Sequence, residues 1–249
     1  EAVKLFIGCN DHDTLLLFSD RGVAYALPAY RVPQCSRTAK GTPVVQLLPI
    51  PREEAITSLL AVSEFNDDTD LLMLTQGGYI KRTRLSAFSN IRSNGLIAIG
   101  LEDGDALTWV RLSIPGDSVL IGSKAGMTIH FRLADGELRP LGRTARGVRS
   151  MNLRKGDSLV SMDVLPAELA DQIAASADEA EDGDDAGDVA ETAVAAEGPW
   201  VLVASASGLG KRVPVTQFRL QKRAGMGLRA MKFRTDSDEL VGLRVLGAG

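Results

Sequence analysis

The chain is poor in the residues on which most catalytic and redox sites are built. Its 249 residues include two cysteines and two histidines, and aromatics make up 5%. Cys9 and Cys35 lack metal-ligand spacing; two lone thiols fit a reducing compartment and read as ordinary small hydrophobes. His12 lies beside a turn and His130 in a strand-like run, so neither recommends a metal site or a Ser-His-Asp arrangement. No run of 18 apolar residues is present, which argues against a membrane-spanning helix, and a secretory signal pattern is also missing. Scarce aromatics argue against a stacking platform for single-stranded nucleic acid, and Trp109 and Trp200 sit in strand-like runs and read as core. Two glycine-rich stretches fail as nucleotide loops. Gly208-Leu209-Gly210-Lys211-Arg212 has Ser205 where the first glycine of a phosphate loop belongs, and Arg212 where Ser or Thr belongs. Gly225-Met226-Gly227 lacks a third glycine and a surrounding βαβ unit. The carboxylates of Asp11–Asp13 and Asp67–Asp70 read as loop residues. No active site and no cofactor or metal site emerges.

One stretch lacks a whole charge class. Residues 168–197 hold eleven of the 32 acidic residues and none of the 28 basic ones. The formal net charge of −4 therefore misleads. Outside that stretch 28 basic residues face 21 acidic ones, a body of about +7, and a basic body suits a polyanionic partner. The acidic segment buries too little apolar surface to offset its ordering entropy. It reads as an insertion over 167–198, opening on a short helix after Pro166 and continuing beyond Asp178 as a disordered acidic loop.

The rest repeats itself. Four turns share a hydroxyl residue, two variable positions and a glycine: Ser19 to Gly22, Thr75 to Gly78, Ser123 to Gly126 and Ser205 to Gly208. Each follows an apolar run. The hydroxyl can bond the loop backbone, and Gly22, Gly78, Gly126 and Gly208 are the structural turn residues, each supplying the positive φ of a short hairpin loop. A second glycine recurs at Gly41, Gly95, Gly147 and Gly227, followed in phase by Val45 and Leu47, Ile99 and Leu101, Met151 and Leu153, and Met231 and Phe233. Two signals in phase four times over predict an all-β, propeller-like ring of about four blades. The segments Ile56–Val62, Leu159–Leu165 and Glu239–Leu246 read as strands that open a unit. The chain starts on Glu1 within a strand-like segment, as expected of a piece of a longer protein.

Basic residues recur between the turn glycine and the second glycine. Unit one has Arg31, Arg37 and Lys40; unit two has Lys81, Arg82, Arg84 and Arg92; unit three has Arg132, Arg139, Arg143 and Arg146; unit four has Lys211, Arg212, Arg219, Lys222 and Arg223. The same position in each blade lands on the same part of the perimeter, so the repeat predicts a positive rim suited to a polyphosphate backbone. No recognition helix is apparent, so backbone contact to bent duplex DNA fits better than base reading. The DNA-binding candidates are Arg31, Arg37, Lys40, Lys81, Arg82, Arg92, Arg143, Arg146, Lys211, Arg212, Lys222 and Arg223. The competing reading from a different class is a protein-interaction propeller scaffold that uses the acidic stretch as a docking loop.

Gly78-Tyr79-Ile80-Lys81-Arg82 and Gly208-Leu209-Gly210-Lys211-Arg212, with Arg37-Thr38-Ala39-Lys40-Gly41, Arg143-Thr144-Ala145-Arg146-Gly147 and Val44-Val45-Gln46-Leu47-Leu48-Pro49, resemble the C-terminal domain of the DNA gyrase A protein. The homologous domain of topoisomerase IV is the near neighbour. The resemblance covers nearly the whole chain outside the acidic stretch. It implies a β-pinwheel whose blades exchange strands and whose basic edge wraps duplex DNA in support of ATP-dependent negative supercoiling. It also implies a bacterial, cytoplasmic, nucleoid-associated setting or a plastid, no membrane, and partnership with the rest of the gyrase A protein and with the gyrase B protein. ATP and Mg are expected elsewhere in the intact enzyme. The family's catalytic tyrosine belongs to a region not represented here, so Tyr25, Tyr30 and Tyr79 do not take that role. The nearest likeness to the gyrase signature box is Gln221-Lys222-Arg223-Ala224-Gly225-Met226-Gly227, where Ala224 and Met226 depart from the pattern.

Overall fold

The structure, a computed structural model, describes residues 3–178, 199–235 and 237–246. In chain order the strands are β1 (Thr14–Ser19), β2 (Val23–Pro28), β3 (Ile56–Val62), β4 (Asp70–Thr75), β5 (Tyr79–Arg84), β6 (Leu96–Ile97), β7 (Leu107–Ser113), β8 (Ser118–Ser123), β9 (Met127–Arg132), β10 (Val148–Arg149), β11 (Leu159–Leu165), β12 (Trp200–Ser205), β13 (Gly210–Pro214), β14 (Leu228–Arg229) and β15 (Leu240–Leu246). Among the described residues two α-helical segments, α1 (Val44–Leu47) and α2 (Ala167–Asp178), and three short 3-10 turns accompany the strands.

The four punctuated turns close the hairpins β1–β2, β4–β5, β8–β9 and β12–β13. Their glycines have φ of 75°, 90°, 79° and 84°, a region that L side chains adopt at a cost. Ser19 Oγ and Thr75 Oγ1 accept the N–H groups of Val23 and Tyr79, at 3.3 and 3.1 Å. In every repeat the turn hydroxyl residue also faces the first residue of a third strand: Ser19 opposite Ile56, Thr75 opposite Leu107, Ser123 opposite Leu159 and Ser205 opposite Leu240. The strands that read as opening a unit thus close the sheet of the hairpin before them. β3 pairs with β1, β11 with β8 and β15 with β12. The apolar alternation that marks a strand carries no information about which neighbour it pairs with.

The chain forms two compact units. One takes the residues up to Ile114 together with Leu138–Val148; the other takes Pro115–Glu137 and the chain from Arg149 onward. The first holds the sheets β3-β1-β2-β6 and β10-β5-β4-β7, the second holds β11-β8-β9-β14 and β13-β12-β15. In three sheets the outermost strand is a two-residue piece donated by the segment after the next hairpin: β6, β10 and β14. The fourth sheet has three strands among the described residues. The equivalent segment of the first repeat, after Gly41, is the helical turn α1 instead.

Each unit buries its own apolar faces. In the first, Leu16, Phe18, Leu71, Met73, Leu107 and Val110 form one cluster, with Phe18 and Phe88 edge to face at 6.3 Å and 67°. In the second, Leu120, Val201, Val203, Leu240 and Leu243 pack with α2. This helix begins after Pro166, whose fixed φ suits a helix start. Its Ala170 and Ile173, three apart on one face, are fully buried; each large aliphatic side chain so buried contributes about 1.5–3 kcal/mol. The first part of the acidic stretch is therefore docked structure. The expected disordered loop beyond Asp178 falls largely on 179–198, outside the described residues.

Candidate nucleic-acid interface

The basic candidates divide by burial. Arg31 ends a 3-10 turn over Ala29–Arg31, Arg37 and Lys40 follow in the next connection, Arg92 lies between β5 and β6, and Lys211 and Lys222 lie on β13 and after it. All six are exposed, and none has an ion-pair partner among the described residues. Arg212 is exposed and stacks over Trp200, 5.0 Å from the ring centroid. Arg146 is about half exposed, pairs with Glu102 and lies 4.4 Å above the Tyr79 ring. Exposed pairs of this kind contribute about 0–1 kcal/mol, so a phosphate can compete for the arginine.

Arg143 and Arg223 occupy the same place in successive repeats and are both half-buried. Arg143 Nη1 donates to the Ala87 carbonyl at 2.6 Å. Arg223 Nε and Nη1 donate to the carbonyls of Glu137 and Arg149 at 3.0 and 2.7 Å. Each arginine ties its own loop to the connection one repeat earlier and leaves part of its guanidinium toward solvent.

Lys81 and Arg82 do not belong to an exposed edge. Their exposures are 0% and 2%. Lys81 Nζ donates to the carbonyls of Gly142, Arg143 and Ala145 at 2.9, 2.5 and 3.1 Å. Burial, and secondarily the Arg143 guanidinium, pulls its pKa from 10.5 down to about 8. Arg82 Nε lies 3.1 Å from Oδ2 of the fully buried Asp70, which Arg84 also approaches at 3.4 Å. Both side chains are engaged inside the protein, so Lys81 and Arg82, expected among the DNA-binding cations, are not presented at the surface. Lys211 and Arg212, at the same positions of the repeat, are exposed because no strand covers β13 among the described residues.

Other expectations shift as well. Cys9 and Cys35 are exposed rather than packed. Trp109 and Trp200 are half-buried. His130 is buried, its Nδ1 2.7 Å from the Phe218 carbonyl and its Nε2 2.8 Å from Ser118 Oγ; burial is the main reason its pKa lies below the usual value. Tyr25 donates to Glu54 at 3.0 Å, and burial, reinforced by that bond, pushes its pKa to about 12.

Sequence reasoning missed a recurring aspartate. Asp105, Asp157 and Asp238 each stand two residues before a third strand, and each accepts from a backbone N–H of the hairpin turn: Gly77 at 2.7 Å, Ala125 at 2.9 Å and Ser207 at 3.0 Å. Each also caps the N–H of the residue after it. In the first repeat the direction inverts, and Asp20 accepts from Ala55 N–H at 2.9 Å. The signal was present as Gly104-Asp105-Ala106-Leu107, Gly156-Asp157-Ser158-Leu159 and Ser237-Asp238-Glu239-Leu240. These carboxylates fix the hairpin turn that opposes each third strand. The Ser207 hydroxyl, with backbone help, lowers Asp238 from 3.8 to about 2. A depressed carboxyl contributes stability that is complete above about pH 4 and is lost as pH falls through about 2. Asp238→Asn is therefore expected to remove part of the fall in urea midpoint between pH 4 and pH 2 while leaving that between pH 5 and 7 unchanged.

No helix among the described residues is long and apolar enough to cross a membrane, and no group of three or more His, Cys, Asp or Glu among them is arranged to hold a metal ion.

Residues 13–63, 69–113, 117–166 and 199–246 match the family described as the DNA gyrase C-terminal domain, beta-propeller. The chain is 55% identical over 252 residues to the DNA gyrase A protein of Synechocystis sp., a match that takes in all of this chain and 29% of that protein. It is 42% identical over 247 residues to the chloroplastic/mitochondrial DNA gyrase A protein of Arabidopsis thaliana, covering 99% of this chain and 25% of that protein. The chain thus spans less than a third of the length of these curated relatives. Among solved structures, the C-terminal domain of DNA topoisomerase IV aligns with a TM-score of 0.74 at 22% identity, over 95% of this chain and 64% of that one. The DNA gyrase A C-terminal domain aligns with a TM-score of 0.54 at 21% identity, over 95% and 83%. At these identities the structural likeness speaks to the fold.

Proposed function

Because this chain belongs to the family of the DNA gyrase C-terminal domain and has its β-pinwheel fold, we propose that it binds and bends duplex DNA through the exposed cations of its basic connections. In this reading residues 1–249 act as one DNA-binding domain interrupted by an acidic insertion over 167–198. The domain serves a DNA gyrase, together with the rest of the gyrase A protein and with the gyrase B protein, in ATP-dependent negative supercoiling. The observation that carries the reading is the set Arg31, Arg37, Lys40, Arg92, Lys211 and Lys222: exposed, unpaired among the described residues, and placed on or after the second strand of three of the four hairpins. An unpaired surface cation is free to replace condensed counterions on a phosphate backbone, which supplies affinity without reading sequence.

The reading is tested by Arg37→Ala combined with Lys40→Ala. Both side chains are exposed, so stability is expected to change by no more than about 0.5 kcal/mol. Duplex binding is expected to weaken for every sequence tried, and the slope of log affinity against log salt to fall by about 1.8. Fluorescence anisotropy on two unrelated duplexes measures both. Loss of binding to one duplex alone would mean base reading, and an unchanged slope would remove this loop from the interface.

A further inference from the structure

The connection carrying Arg143 and Arg146 is held against β5 by backbone and side-chain contacts. Arg82 and Pro140 form a parallel bridge, and Leu141 N–H donates to the Arg82 carbonyl at 2.7 Å. Gly147 lies so close to β5 that a Cβ there would stand 2.5 Å from the Ile80 carbonyl oxygen. A further fastening is Lys81. An ammonium has three donors and no acceptor, and all three find loop carbonyls, at Gly142, Arg143 and Ala145. Ala145 in turn accepts from Gly100 N–H at 3.2 Å, so the same carbonyl links the loop to the segment after β6.

Lys81 is a costly way to hold a loop. It is fully buried, no carboxylate pairs with it among the described residues, and the Arg143 of the loop it holds acts on it as a like charge. A buried cation without a counter-charge is disfavoured by desolvation, and an apolar side chain would suit the strand better on stability grounds alone. What the ammonium provides is convergence: three carbonyls drawn to one point fix the loop backbone from 142 to 145, and with it the starting direction of Arg143 and Arg146. We infer that Lys81 is a positioning residue for DNA binding, one that touches no phosphate and sets the 142–147 loop so that Arg143 and Arg146 reach the backbone together. This role rests on the DNA-binding reading above.

The test is a double-mutant cycle on the full chain, with a 30-base-pair duplex as probe. One arm is Lys81→Met, the other Arg143→Ala with Arg146→Ala, and the third combines them. If Lys81 acts through the two arginines, Lys81→Met weakens duplex binding about tenfold at 100 mM salt, and adds nothing once both arginines are gone. A residue that merely stabilises the fold would lower affinity by the same factor in both backgrounds. Amide exchange reads the latch without DNA: the Leu141 and Gly100 N–H groups are expected to exchange faster in Lys81→Met, while those of the β1–β2 hairpin keep their rates. Should Lys81→Met fail to fold, Lys81→Gln, which keeps a donor and loses the charge, takes its place in the cycle. Full additivity, or unchanged affinity in the Lys81 variant, overturns the positioning role while DNA binding by the parent stands. A parent chain that binds no duplex overturns the DNA reading and this role with it, whatever the exchange rates show.

Discussion

Raising monovalent salt from 50 to 200 mM is expected to weaken duplex binding by about a thousandfold. Each neutralised phosphate contributes about 0.9 to the slope of log affinity against log salt, and six engaged cations give a slope of about −5. Six is the number of candidate cations that are exposed and unpaired among the described residues. Arg146 and Arg212 add to the slope to the extent that phosphate displaces their Glu102 and Trp200 partners, and the half-buried Arg143 and Arg223 add through the donors they leave toward solvent. The two buried candidates, Lys81 and Arg82, add nothing, so counting all twelve sequence-derived positions would give a slope about twice as steep. An anisotropy titration at five salt concentrations separates the outcomes. A flat response would point to an apolar protein interface, the kind of partner a scaffold would have, and would end the DNA reading.

The largest loss of stability is expected from Gly227→Ala. Gly227 has φ of 77°, and a Cβ there would lie 2.4 Å from the Thr128 carbonyl oxygen and 2.7 Å from Met151 Cε. The oxygen cannot retreat freely, because Leu228 pairs with Thr128 where β14 joins the sheet, and Thr128 Oγ1 donates to the Leu228 carbonyl at 3.2 Å. Backbone strain and overpacking add to a cost of about 4 kcal/mol. Gly41 stands at the same position of the first repeat, with φ of 75° and nothing within 4 Å of its Cβ direction. Gly41→Ala meets the conformational penalty alone, about 1–2 kcal/mol. Urea unfolding of the two variants and the parent checks the difference. Equal losses would mean that the donated strand β14 contributes nothing at this glycine.

These two glycines show what was legible in the sequence. The hairpins were, because a turn is a local event: a hydroxyl and a glycine three residues later dictate it without reference to the rest of the chain. The repeat, and hence the all-β fold, followed from four such events in phase. What sequence order does not display is which segment covers which. Lys81 and Lys211 have the same local context, Gly-x-x-Lys-Arg, yet one is buried and the other exposed. The difference is a loop some sixty residues away that lies on β5 and has no counterpart on β13 among the described residues. Gly41 and Gly227 differ for the same reason, as do α1 and the short strands β6, β10 and β14, which hold an extended shape against a neighbouring hairpin edge. The recurring aspartates were legible in principle. An acidic residue between a glycine or serine and a strand has the look of a solvated loop position, whereas Asp105, Asp157 and Asp238 each spend their charge on a turn's backbone N–H groups.

Of the proposed interface, the sequence displayed the loops but not the division of labour within them. Arg143 and Arg223 look like two more free cations in a row of basic residues. In the structure they are half-buried ties between consecutive repeats. An arginine can do both, since its planar fork has five donors and a backbone carbonyl occupies one or two. Substituting either should therefore cost both stability and affinity, unlike Arg37 or Lys40.

The most direct measurement of DNA wrapping by this chain is the closure of a nicked plasmid. The plasmid is sealed by ligase at 50 mM salt with increasing amounts of the chain, the protein is removed, and the topoisomers are separated by gel electrophoresis. If the basic connections engage a continuous stretch of duplex and wrap it along a handed path, the linking-number distribution moves steadily away from that of the protein-free control as the chain is added, and the shift disappears at 200 mM salt. A distribution that stays centred on the control at saturating chain would contradict wrapping of DNA by this domain.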